Sequence, residues 1–164
     1  MSNARRSAFV DAYDGIGARE TFLATSHEDA VERVKEAFND AGFGVPTEFS
    51  PSENIRAHTG EELPPTRVVG IGNPHAGKRV AEVTGGDAAT LFPCNVVVQQ
   101  VGENRQRVYH VSLPQVLERV GLAPDDPDGS DAWQEALSIA GDGVAEAFAT
   151  LNASEVAAPA PASD

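Results

Sequence analysis

Hydrophobic and polar residues alternate along this chain in two rhythms, one with helical spacing and one with strand spacing. Ala30, Val31, Val34, Ala37, Phe38 and Ala41 fall three and four positions apart and form one face of a helix. Ser26, with Asp29 three residues on, caps its start, and Gly42 ends it. Ala18 to Thr25 before it and Phe43 to Phe49 after it predict strands. Ser50-Pro51-Ser52-Glu53 then places a capping serine, an N1 proline and an N3 glutamate in order for a second helix, which Gly60 ends. Pro64-Pro65 forces an extended approach to the apolar run Arg67 to Ile71, a third strand. Asn73 caps and Pro74 opens a third helix to about Thr84, and Gly85-Gly86 breaks the chain after it.

Asn95 to Val101 and Arg105 to Ser112 predict a hairpin about Gly102-Glu103-Asn104. Leu113 to Val120 is a short helix ended by Gly121, and Asp125 to Gly129 reads as a solvated acidic loop. The last helix starts at Ser130 or Asp131. Its apolar positions, from Trp133 to Leu151, are only partly periodic, and Gly141 and Gly143 predict a kink. Strands alternating with helices and followed by a hairpin define an α+β fold. The expected form is a two-layer α/β sandwich, helices packed on a mixed or antiparallel sheet with a C-terminal hairpin. The expected divisions are a flexible N-terminal arm over 1–17, a single domain over 18–151 and a disordered Ala/Pro tail over 152–164.

Charge narrows the setting. Acidic residues outnumber basic ones 25 to 12, for a formal net charge of -13, and only Lys35 and Lys78 are lysines. Such a surface repels itself unless counterions screen it, and the screening length falls from about 10 Å at 0.1 M salt to about 3 Å at 1 M. A salt-adapted protein in a salt-rich cytoplasm is the expectation. Nucleic acid is not an expected partner, because no basic stripe is present to displace phosphate counterions. Arg5-Arg6 is followed by Asp11 and Asp14 where an export signal needs an apolar core, so neither an export signal nor a membrane partner is expected. The single cysteine, Cys94, excludes an internal disulfide framework.

Three segments carry a resemblance: Ala30-Val31-Glu32-Arg33-Val34-Lys35-Glu36-Ala37-Phe38 with Gly42 to Glu48, Gly70 to Asn73 leading through Pro74-His75, and Leu91-Phe92-Pro93-Cys94-Asn95-Val96-Val97-Val98. Together they resemble the family catalogued as domain of unknown function 302, over roughly residues 18 to 112, leaving 113–151 as added helices. The resemblance implies a small α/β sandwich that dimerises and implies no established activity. In the family pattern a second cysteine often precedes the Asn-Pro pair. Here that position is Gly72, which removes an intramolecular dithiol or two-cysteine metal site.

The candidate chemistry is sparse. Gly72 to Lys78 satisfies the opening of a phosphate-binding loop, but Pro74 lacks an N–H and Arg79 stands where a hydroxyl should bind magnesium. A helix cap is the better reading, with a small anionic ligand at the helix start beside Asn73, His75 and Lys78 as its functional version. Cys94 is the candidate nucleophile or redox centre, provided that a neighbour lowers its pKa; otherwise it packs as a small hydrophobe. Glu48, on the second strand, is a candidate ligand-binding residue and general base, unless it simply faces solvent. His27, His58, His75 and His110 show no zinc spacing, so no metal and no cofactor are expected. The functional expectation is a small-ligand-binding or accessory domain with its pocket near Asn73, His75 and Cys94. Alternatives are a thiol-dependent enzyme using Cys94 and a purely structural partner.

Overall fold

The computed structural model describes residues 8–156. Five strands make one open antiparallel sheet: β1 (Arg19–Leu23), β2 (Gly44–Phe49), β3 (Thr66–Gly72), β4 (Cys94–Gly102) and β5 (Arg105–His110), in the order β1-β5-β4-β3-β2. No pair is parallel, so of the two sheets expected the antiparallel one forms. Six helices accompany them: α1 (Ala8–Ala12), α2 (His27–Asp40), α3 (Pro51–Thr59), α4 (Pro74–Thr84), α5 (Leu113–Arg119) and α6 (Pro127–Val156).

Register fixes what each face does. Pairing Thr21 with Val108, Val108 with Val98 and Val98 with Arg67 puts Leu23, Val69, Ile71, Val96, Val98 and Val108 on one face. All are buried beneath Val31, Val34 and Phe38 of α2 and Val144, Phe148 and Leu151 of α6. Burying a Val, Leu, Ile or Phe side chain contributes roughly 1.5–3 kcal/mol, so this layer holds the fold together. A second cluster, centred on Trp133 with Ala76, Val80, Leu117 and Ala136, fastens α4 and α5 to α6.

Local signals work as their chemistry requires. Ser26, Ser50, Asn73 and Ser112 each accept an N–H in the first turn of the helix that follows. The hairpin turns on Glu103-Asn104 alone, since Gly102 still pairs with Arg105 and Asn104 supplies the positive φ of 50°.

The structure differs from expectation at the last helix and in the N-terminal stretch. The helix α6 begins at Pro127, because Asp126 is a cap whose side chain accepts the Gly129 N–H at 2.8 Å, ahead of an N1 proline. It then runs unbroken past Gly141 and Gly143. At Gly143 a Cβ would lie 2.5 Å from Phe43 Cε2 and 3.2 Å from the Ala41 carbonyl, so this glycine permits close packing of α6 on the end of α2. In the stretch read as an arm, residues 8–12 are helical. Phe9 lies 5.4 Å from the ring of Tyr109, and the Ser112 N–H donates to the Ile16 carbonyl at 2.8 Å. The helix also passes residue 151, the expected domain limit, and reaches Val156; residues 1–7 and 157–164, the remainder of the expected arm and tail, lie outside the described residues.

Candidate functional site

The strand β3 delivers the chain directly into α4. Asn73 Oδ1 accepts the N–H groups of His75 (3.0 Å) and Ala76 (3.2 Å), its carbonyl accepts that of Gly77 (2.8 Å), and Pro74 has none to give. There is no loop here to wrap a phosphate, and these N–H groups already have acceptors. His75 and Lys78 are exposed, Lys78 lying 3.6 Å from Glu82.

Between this helix start, the Phe92-Pro93-Cys94 segment and α6 lies a cleft of about 200 Å³. Phe43, Ile71, Val80, Phe92, Pro93 and Pro114 supply most of its wall. Small residues open the space: Ala136 and Ala140 on α6, and Gly77 on α4, where a Cβ would meet nothing within 4 Å. Cys94 and Asn73 are the only polar side chains in the lining. Cys94 is half-buried; burial raises its thiol pKa, partly offset by a hydrogen bond from the Leu113 N–H. A nucleophilic or redox thiol requires the opposite shift.

Behind Cys94 lies a second, smaller cavity of about 50 Å³ that shares Phe43, Ile71, Cys94, Pro114 and Ala140 with the cleft. Its own polar lining is Arg19, His110, Ser112 and Gln115, with Gly141 of α6 opposite. Arg19, Gln115 and Gly17 continue into an open pocket of about 480 Å³ bordered by Asp14, Glu20 and Asn152. The three spaces form a row beneath α6, from an apolar mouth through a narrow neck to a polar mouth.

Imidazole chemistry in the neck is well defined. His110 is 3% exposed, and its Nδ1 lies 2.8 Å from the Asn95 carbonyl. A carbonyl only accepts, so Nδ1 carries the proton and Nε2 presents a lone pair. Burial lowers the His110 pKa, the Asn95 carbonyl opposes this, and the Arg19 charge adds to it. Arg19 is its direct cross-strand partner.

Of the residues expected at a site, the structure brings Asn73 and Cys94 together in the cleft and leaves His75 and Lys78 outside its lining. Glu48 lies elsewhere, on the helix-covered face near the β2 edge. It bonds Lys35 Nζ at 2.9 Å and Arg67 at 2.5 Å, and the Lys35 bond, followed by Arg67, holds its carboxyl below the usual range. That makes it a structural ion pair, poorly disposed to act as a base. Among the described residues no group of His, Cys, Asp and Glu could hold a metal ion. Arg19 and His110 were not among the expected site residues. The hairpin register could have shown that His110 faces inward with Val108 and Gln106, whereas nothing in the sequence shows that Arg19 lies opposite it.

Fold and site thus define a small two-layer α+β domain with an apolar cleft entered beside a helix cap. The chain belongs to the family described as Domain of unknown function DUF302, whose model matches residues 20–140. That span extends past residue 112 into α6. A solved structure of similar fold is the uncharacterized conserved protein DUF302 from Bacillus stearothermophilus, with a TM-score of 0.61 and 18% identity over 84% of this chain and 97% of that one. Among curated proteins none matches. No helix of the described residues is long and apolar enough to cross a membrane.

Proposed function

We propose that this protein is a binding domain for a small, predominantly apolar molecule held in the cleft beside Asn73 and Cys94. The lining carries the proposal. Asn73 spends its side-chain oxygen on the helix cap, Cys94 is a protonated thiol with a backbone donor, and every other side chain around the 200 Å³ space is hydrocarbon. An engineered apolar cavity of about 150 Å³ binds benzene, so one ring or a chain of about six carbons suits this space. Hexan-1-ol followed by saturation-transfer NMR tests it. Gly77 lines the cleft and a Cβ there meets nothing within 4 Å, so Gly77→Leu should weaken binding at least about tenfold, the loss expected when a ligand's apolar contacts are displaced. Failure of the wild-type protein to bind hexan-1-ol or benzene would end this reading. The thiol-enzyme alternative has less support, since burial works against a Cys94 thiolate.

A second copy of the chain is the partner favoured for the sheet face opposite α2 and α6, which α1 covers only in part, with Phe9 packed on Tyr109 and Arg107. That face presents Phe22 and Phe49, 37% and 49% exposed, with Val97 and Tyr109 between them. The strands contribute one carboxylate to it, Glu20, which is paired with Arg107. Two copies of charge -13 can therefore meet there without acid facing acid. Light scattering should report a dimer, and Val97→Glu a monomer; a monomeric wild-type protein refutes the proposal. We place the protein in a salt-rich cytoplasm on the strength of its charge alone.

A further inference from the structure

We propose that the neck behind Cys94 receives the carboxylate of a small amphipathic acid whose hydrocarbon part lies in the apolar cleft, with Arg19 supplying the selecting charge. This rests on the cleft reading above and adds the head group to it. Continuity is the first support: cleft and neck share five lining residues, Cys94 among them, so the two spaces adjoin.

Arg19 is the second. Arg33, Lys35, Arg56, Arg67, Lys78, Arg79 and Arg107 each have a carboxylate within ion-pair distance, whereas among the described residues Arg19, Arg105 and Arg119 have none, and of these three Arg19 lines the cavities described above. Arg19 is exposed, and an arginine that lines two cavities without a carboxylate partner is open to an entering anion. The carboxylates that share a cavity with it, Asp14 and Glu20, border only the outer pocket, and Glu20 is engaged by Arg107 on the far face.

Two of the neck's other groups suit the same head, whereas the His110 Nε2 lone pair does not. Ser112 Oγ accepts the Gln115 N–H, which leaves its hydroxyl proton to donate, and the Gln115 side-chain amide adds further donors. At about 50 Å³ the neck has room for one or two waters, each taking about 30 Å³, and a carboxylate would displace them. A longer chain fits only on the cleft side.

The experiment compares hexanoate with hexan-1-ol, two probes of equal chain length, by NMR titration in one buffer. Wild-type protein should prefer hexanoate about tenfold, as a charge-assisted contact predicts. Arg19→Gln should abolish most of that preference and leave hexan-1-ol unchanged. Equal affinity of the wild-type protein for both probes, or a preference that survives Arg19→Gln, overturns this inference and leaves the cleft reading standing. If hexan-1-ol itself fails to bind, both fall.

Discussion

Replacing each of two glycines in α6 with alanine should move stability in opposite directions, although the residues are two positions apart in one helix. Alanine is more favourable than glycine by about 0.8–1 kcal/mol in a helix interior, and both Gly141 and Gly143 lie well inside α6. At Gly141 the new Cβ meets nothing within 4 Å, so Gly141→Ala should gain roughly 0.5–1 kcal/mol. At Gly143 it would lie 2.5 Å from Phe43 Cε2 and 3.2 Å from the Ala41 carbonyl. Phe43 cannot swing aside easily, because it is buried with its ring 5.4 Å from Phe38 in an edge contact. Overpacking of this kind costs about 1–3 kcal/mol, which offsets the propensity gain and leaves a net loss of up to about 2 kcal/mol. Urea unfolding followed by circular dichroism at fixed salt measures both variants, and a change of 1 kcal/mol corresponds to about 2–4 °C in Tm for a chain of this size. If Gly143→Ala is as stabilising as Gly141→Ala, α6 does not pack on Phe43 as described.

Raising potassium chloride from about 0.1 M to about 2 M should raise the melting temperature, since screening weakens repulsion within a chain of charge -13; an unchanged or lower midpoint contradicts salt adaptation. The Glu48 carboxyl has a folded pKa below its unfolded value, so its stabilisation is present above the unfolded pKa and is lost as pH falls through the folded one. Glu48→Gln should therefore flatten the acid limb of the stability curve, and an identical limb refutes the ion-pair assignment. Native Cys94 should alkylate slowly, with a midpoint above that of a free thiol and release on unfolding; rapid reaction at neutral pH would restore the nucleophile reading.

What the sequence disclosed followed local physics. Caps at Ser26, Ser50 and Asn73, and stops at Gly60 and Gly85, are decided within a few residues, and the helices form where those signals stand. Asp126-Pro127 carried the same signal as Ser50-Pro51 and Asn73-Pro74, but its acidic neighbours made it resemble a loop. Gly143 looked like a helix breaker because its reason for being small, Phe43, is distant in sequence. The site divided in the same way. Asn73 announces its cap, and Cys94 draws notice as the only thiol, yet the cleft they share exists only once α4, β4 and α6 converge. Arg19 and His110 become neighbours through the pairing of the first strand with the last, a contact that no spacing rule encodes.

That pairing also has a consequence for the order of assembly. The strand β1 bonds no strand but β5, and it is also anchored by α6, where the Thr21 hydroxyl donates to Asn152 Oδ1 across a sequence separation of 131. The hairpin β4–β5 and the β3 strand beside it close short loops and can form early, whereas β1 must wait for partners whose loop-closure entropy is paid over most of the chain. The first strand in sequence is therefore the last to dock, and the neck, with Arg19 on one wall and His110 on the other, exists only after that final step.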